Sequence, residues 1–259
     1  MTVMSPRELP TEAKVVVVGG GIVGASVAYH LANKGMTDVV LLERNTMTSG
    51  TTWHAAGLVG QLRATQNMTR LASYGAELYE QLELDGFPTG FKRTGSIAVA
   101  NNEERLEELV RGADMASCFD IDIQQVDVEA LANHWPMMYT DDLIGGVWVP
   151  RDGQTSPVDT TMALTNAAKQ MGAQIFENTG VAEIITADGK ATGVRTTEGH
   201  EIAAEAVVTC AGLWSRHLGA KAGVSIPLHG CEHFYLVTEH IEGLGHGLPT
   251  LRDPGSNTY

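Results

Sequence analysis

The chain predicts an α/β fold in which a discontinuous first domain is interleaved with a smaller α+β domain, and three stretches carry that prediction. Val15-Val16-Val17-Val18 is followed at once by Gly19, Gly21 and Gly24. Val39-Val40-Leu41-Leu42 is closed by Glu43. Much later, a helix opening at Ser156-Pro157 and a strand ending in Cys210 read as returns of the chain to the same domain. The predicted first domain covers 13–85 and 151–222, the second 86–150 and 223–259.

The run Val15–Val18 is all β-branched and too short for a core helix, which suits a strand buried on both faces. The three glycines form G-x-G-x-x-G. Gly19 permits the tight turn, Gly21 lets backbone approach a pyrophosphate and Gly24 lets helix and strand pack closely. A helix is expected from Ile22 to Asn33, burying Ile22, Val23, Ser26, Val27 and Leu31, with Gly35 as a left-handed cap. Its N-terminus carries unpaired N–H groups and the positive end of the helix dipole. Glu43 lies about 20 residues beyond Gly24, the distance at which an acid meets a ribose hydroxyl pair. Strand, turn, helix, strand and acid together predict a Rossmann-like dinucleotide-binding unit; a glycine triplet alone would mark only a turn.

The remaining elements follow from periodicity and punctuation. Met68, Leu71, Ala72, Leu78 and Leu82 recur at helical spacing over Asn67–Leu84, closed by Asp85-Gly86. Gly95–Ala100 reads as a strand, and Asn101 with Glu104 as a capping pair for a helix turning Leu106, Leu109, Val110 and Ala113 inward. A strand near Ile121, a helix from Asp127 to Pro136 and a strand over Gly146–Val149 come next. Ser156-Pro157-Val158-Asp159 opens a helix to Gly172. Ala173–Glu177, Val181–Ala187, Ala191–Thr196 and Ile202–Thr209 are expected as a β-meander. His233 is placed on a strand with Tyr235 and Val237, alternate residues sharing a face.

Composition narrows the partners. A formal net charge of −14 and no Lys/Arg cluster argue against nucleic acid or an anionic membrane surface. Cys118, Cys210 and Cys231 are odd in number and widely spaced, so neither a disulfide framework nor a metal site is predicted and a reducing compartment fits. Met1–Lys14 lacks an apolar core of signal-peptide length and carries acids as well as bases, which disfavours a signal or transit peptide. No window approaches a transmembrane span.

With these residues in view, Val15–Gly24, Glu43, Thr48-Ser49-Gly50-Thr51-Thr52-Trp53-His54-Ala55-Ala56-Gly57 and Cys210-Ala211-Gly212-Leu213-Trp214 resemble the glycine/D-amino-acid oxidase-like flavoproteins. The middle run is similar to the sarcosine and dimethylglycine dehydrogenase branch, where the histidine carries the flavin covalently; Gln61-Leu62-Arg63 and Thr238–Gly243 lean toward the sarcosine enzyme. The resemblance implies an FAD-binding domain of the D-amino-acid-oxidase type and FAD as cofactor, attached at His54. It places the flavin against Gly19, Gly21, Gly24, Glu43, Arg44, Ser49, Gly50, Thr51, Thr52, His54, Val181 and Gly212, and makes His233 and Tyr259 the catalytic candidates. It further implies oxidation of a small N-methylated amino acid, with oxygen or an electron-transfer flavoprotein as acceptor. A cytoplasmic location is implied, or the mitochondrial matrix in a eukaryote. The family pattern runs on past Tyr259, through more substrate sheet to a folate-binding region, so the sequence is expected to be the front part of a longer polypeptide.

Each reading has a plainer competitor. His54 could be a loop histidine and His233 a structural one; Tyr259, as the last residue, could be a frayed end. Cys210 reads as a small buried hydrophobe, and Asp152 and Asp159 as turn and cap residues with at most an indirect role near the flavin. Two rival functions are a nicotinamide-dependent dehydrogenase using the same glycine turn and a flavin-containing scaffold without amine turnover.

Overall fold

The structure, a computed structural model, describes residues 8–245 and 247–259, so residues 1–7 of the opening segment and His246 lie outside the described residues. In chain order the elements are β1 (Glu12–Val18), α1 (Ile22–Asn33), β2 (Val39–Leu42), β3 (Leu58–Val59), α2 (Gln66–Leu84) and β4 (Ser96–Ala100). Next come α3 (Glu103–Ser117), β5 (Gln124–Val126), α4 (Val128–His134), β6 (Gly145–Val149), β7 (Gly153–Gln154) and α5 (Pro157–Gln170). The chain continues with β8 (Gln174–Phe176), β9 (Val181–Ala187), β10 (Lys190–Thr196), β11 (Glu201–Thr209), α6 (Ser215–Lys221) and β12 (Thr250–Arg252).

Two compact units emerge. The first runs to Ala55 and resumes over Pro157–Phe234; the second comprises Ala56–Ser156 and Tyr235–Tyr259. This division differs from the sequence expectation at 56–85, which includes α2, and at 151–156, both of which fall in the second unit, and at 223–234, which falls in the first.

In the first unit a six-stranded sheet has the order β8-β2-β1-β11-β10-β9. Val15 to Val18 of β1 pair in parallel with Val39 to Leu42 of β2 on one side and with Ala206 to Thr209 of β11 on the other. All eight residues of the two apolar runs are buried, because helices and the remaining chain cover both faces of a parallel sheet. The meander is three strands, β9, β10 and β11, joined antiparallel. The expected fourth member, β8, pairs in parallel with β2 at the opposite edge. Its Gly172 lead-in follows a helix, and a helix crossover delivers a strand parallel to the one before it.

The α1 boundaries agree with the sequence, but the buried face does not. Gly24, Ala25, Ala28 and Ala32 are buried, whereas Val23 is 60% exposed. α1 packs against α5, whose Ala163, Ala167 and Ala168 are also buried, so the small residues lie where two helices approach closely. The buried hydroxyls of Thr161 and Thr165 donate to carbonyls one turn back, at 2.7 Å each, and need no other partner.

In the second unit a four-stranded sheet has the order β12-β4-β6-β5, and β3 pairs with β7. Ile97, Val99 and Leu131 form its core. The cap of α3 is Asn102, one residue later than expected: its side chain accepts from the Arg105 N–H at 2.9 Å. Ile121 is a buried loop residue rather than a strand residue, its N–H closing the end of α3 onto Ala116, and β5 starts only at Gln124. Leu82 of α2 is buried as expected, but Met68 and Leu71 are exposed and the helix buries Thr69 and Ala76 in addition.

The expected strand around His233 does not form: residues 224–240 carry neither helix nor strand. Phe234, Leu236 and Val237 are among the most exposed apolar side chains of the chain. Alternation supplies faces, but a strand exists only when a neighbour accepts its ladder hydrogen bonds, and none of the sheets pairs with this stretch among the described residues. No helix among the described residues is long and apolar enough to cross a membrane.

Candidate functional site: a backbone-lined cleft

At the carboxyl end of the first unit's parallel strands, the turn after β1 opens a cleft of about 390 Å3. This is where open α/β sheets bind ligands. Gly19 adopts φ +114°, and a Cβ there would stand 2.4 Å from the Cys210 carbonyl oxygen. A Cβ on Gly24 would stand 1.9 Å from the Gly19 oxygen, so α1 can begin this close to the turn only with glycine. Gly20, which the motif leaves free, is also crowded, though by side chains rather than backbone: its Cβ would meet the Met47 sulfur and Glu43 Cβ at 2.6 and 2.7 Å. Sequence reasoning missed it because its partners come from the loop after β2.

That loop is tied to the turn from several sides. Glu43 Oε2 accepts from the Gly20 N–H at 2.6 Å and Oε1 from the Asn45 N–H at 2.9 Å. A carboxylate has about four lone-pair positions, so both oxygens keep capacity for further donors. The Thr48 N–H donates to the Gly20 carbonyl, and Thr48 sits at φ +69°, an unusual conformation for a β-branched residue. Thr52 Oγ1 accepts from the Ile22 N–H at 3.0 Å, so the first turn of α1 is capped from another loop.

Of the expected flavin contacts, Gly19, Gly21, Glu43, Arg44, Gly50, Thr51, Thr52, Val181 and Gly212 line the cleft. Gly24 lies beneath the turn, and Ser49 is exposed with its N–H bonded to Thr46. His54 does not line the cleft: it ends a short 3-10 turn over Thr52–His54, exposed, its ring 3.7 Å from that of Trp53. Lining residues that the sequence did not single out include Trp214, over whose ring the Arg44 guanidinium lies at 3.9 Å, and Lys221, which donates to the Ala182 carbonyl at 2.8 Å. Burial pushes the Cys210 thiol up, which keeps it protonated and unreactive.

A group with a pyrophosphate and a ribose fits this cleft on the structure's own terms. The turn at its head is backbone packed too closely for a Cβ at Gly19 or Gly24, it opens at a helix N-terminus, and an acid and an arginine line it.

The catalytic candidates belong to different units. His233 lies in the irregular exposed stretch of the first unit. Tyr259 lines an open cavity of about 590 Å3 in the second unit, together with Arg63, Arg252, Ser96 and Asp152. Arg252 reaches this wall because β12 pairs in parallel with β4. Among the described residues no cluster of three metal-binding side chains occurs.

The chain is 39% identical over its whole length to 4-methylaminobutanoate oxidase (formaldehyde-forming) of Paenarthrobacter nicotinovorans, covering 31% of that protein. It is 38% identical to human mitochondrial sarcosine dehydrogenase over 98% of the chain and 28% of that protein. It is also 39% identical to the mouse mitochondrial pyruvate dehydrogenase phosphatase regulatory subunit, over 97% of the chain and 29% of the relative. The chain therefore spans about three tenths of the length of the curated relatives it matches. Among solved structures, L-proline dehydrogenase from P. horikoshii superposes with a TM-score of 0.79 at 27% identity, over 83% of this chain and 57% of that one. Residues 14–259 match the family model described as FAD dependent oxidoreductase, and with the glycine-turn cleft in place the chain belongs to that family.

Proposed function

We propose that the protein carries out FAD-dependent oxidative demethylation of a small N-methylated amino acid, with sarcosine as the first substrate to test. The observation that supports this most directly is the glycine-turn cleft of the first unit, in a chain whose relatives include a sarcosine dehydrogenase and a formaldehyde-forming methylaminobutanoate oxidase. FAD, when bound, supplies the acceptor for a hydride from the carbon beside the substrate nitrogen.

The chain's own residues then have separable tasks. The N-terminus of α1 at Gly21 would hold the pyrophosphate, and Glu43 would take the ribose hydroxyls through its remaining lone pairs. Arg44, held over Trp214, adds positive charge at the rim. In the second unit Arg63 and Arg252 outnumber the single acid of their cavity, Asp152, and suit a substrate carboxylate. The amine must lose its proton for its lone pair to assist hydride departure. Tyr259, which lines that cavity, is the favoured partner for the amine proton, and His233 the second candidate. His54 is the proposed point of covalent attachment. Holoprotein precipitated with acid is expected to stay yellow and to carry the flavin's mass on the peptide containing His54; flavin released wholly into the supernatant defeats this assignment.

A second reading, a flavin-binding regulatory scaffold without turnover, is favoured by the likeness to the phosphatase regulatory subunit. Anaerobic titration of the full-length holoprotein with sarcosine, dimethylglycine and 4-methylaminobutanoate separates the two. Bleaching of the flavin spectrum by one of them supports the enzyme; no bleaching by any supports the scaffold.

A further inference from the structure

Asp152 is a buried carboxylate to which the function above gives no task. It is 6% exposed, in the turn between β6 and β7, and its atoms join segments far apart in sequence. Oδ1 accepts from the Gln61 N–H at 2.9 Å and, at 3.4 Å, from Gln61 Nε2; Oδ2 accepts from the Ser96 hydroxyl at 2.6 Å. Its carbonyl accepts from the Gly95 N–H at 2.9 Å. Burying a carboxylate is costly even when it is hydrogen-bonded, and a turn alone could be closed by an uncharged residue.

Its surroundings supply a reason. Asp152 lines the same cavity as Arg63, Arg252 and Tyr259. A Cβ on Gly60 would stand 3.3 Å from Asp152 Oδ2 and 3.4 Å from Arg63 Nη1, so the carboxylate and the guanidinium lie over the same glycine. The loop between them is gripped at both ends. Asp152 holds Gln61, while the Arg63 N–H donates to Thr69 Oγ1 and the Thr69 hydroxyl donates back to the Arg63 carbonyl, both at 3.1 Å. Arg63 Nη1 also donates to the Leu62 carbonyl at 2.9 Å. An arginine side chain so restrained has less rotamer freedom left to lose when it meets an anion.

We propose that Asp152 is a positioning residue: by holding the Gln61 N–H it fixes the Gly60–Arg63 loop and so presents Arg63 to the carboxylate of the bound amino acid. The proposal rests on the reading of this cavity as the carboxylate site. Asp152 directs its own lone pairs at Gln61 and Ser96, which partly neutralises its repulsion of that anion.

Acetate, a carboxylate without an amine, is the probe, and its affinity is measured by calorimetry on full-length holoprotein of wild type, Asp152→Ala, Arg63→Ala and the double variant. Melting temperature and flavin content are recorded for each. Asp152→Ala is expected to weaken acetate about tenfold and Arg63→Ala at least as much. The double variant is expected to match Arg63→Ala alone, because a residue that acts through Arg63 has no effect once Arg63 is gone. A merely structural Asp152 would instead multiply its loss onto that of Arg63→Ala, and such additivity overturns the proposal. So does wild-type affinity in Asp152→Ala when Arg63→Ala is weakened, an outcome that leaves the carboxylate reading intact. Wild-type affinity in Arg63→Ala overturns the carboxylate reading and the proposal with it. Asp152→Asn covers the case in which the alanine variant fails to fold: it can still accept from Gln61 and should stay within about threefold of wild type, and a larger loss counts against positioning through that hydrogen bond.

Discussion

The cleft of the first unit and the cavity of the second are built from different materials. The cleft is headed by a main-chain turn that tolerates little but glycine, with carbonyls crowding Gly19 and Gly24 and side-chain atoms crowding Gly20, while side chains such as Glu43, Arg44 and Trp214 line the rest. The cavity is walled by side chains, with Arg63, Asp152, Arg252 and Tyr259 brought from separate parts of the unit. A backbone-built turn admits little variation in sequence without loss of the fold, whereas a side-chain-built site can change what it binds while the scaffold stands.

The sharpest way to break that contrast is Gly24→Ala. With its new Cβ 1.9 Å from the Gly19 oxygen, neither the turn nor α1 can relax cheaply, and a loss of about 3 kcal/mol or more is expected together with failure to retain flavin. Thermal melting and the flavin-to-protein absorbance ratio check it; a yellow protein of unchanged melting temperature would show the cleft to be looser than its geometry. Arg252→Ala should do the opposite. Arg252 is exposed on β12, so stability should change by less than about 0.5 kcal/mol while acetate affinity falls about tenfold. Should the melting temperature collapse with the affinity, the cavity is as much part of the fold as the cleft is.

Thr52→Val tests a side-chain hydroxyl that helps form the cleft. It keeps the shape but leaves the Ile22 N–H without its acceptor, at a cost of about 1 kcal/mol, read by urea unfolding and by weakened flavin retention. The smallest effect is a pH dependence in the second unit. Hydrogen bonds from Thr89 and Gly90 hold the Glu83 carboxyl below its usual range, and the Arg93 ion pair does the same for Glu80. A folded-state value below the unfolded one means that this stabilisation is present above the ordinary carboxylate range and is lost as pH falls through the lowered values. Urea midpoints should therefore decline on acidification, and Glu83→Gln should flatten part of the slope. An equally steep decline in that variant would remove Glu83 as a contributor.

Legibility followed the same division. β1, α1 and β2 were readable because strand, turn and helix signals are consecutive and each supports the next. The buried face of α1 was not: α5, entering far along the chain, selects Ala25, Ala28 and Ala32 over Val23 and Val27 because two helices pack closest across small residues. His233 shows the converse error. Alternating apolar residues satisfied the local criterion for a strand, but the partner strand is a tertiary fact. The shift of β8 out of the meander has the same cause, since pairing order is decided by crossovers and not by spacing.

What the sequence by itself determined is the part of this protein in which backbone conformation is the constraint: the glycine turn, the two buried valine-rich strands it joins and the acid that closes the second. Glycine and β-branched residues restrict local geometry so strongly that distant residues have little left to choose. What only the tertiary structure decided is which side chains share a space. The Gly20 contact with Glu43, the capping of Ile22 by Thr52 and the bond from Gln61 to Asp152 each close over a long sequence separation, and no local pattern encodes them. Their energy comes from burying donors and acceptors together, and that condition exists only once the chain has brought them to the same place.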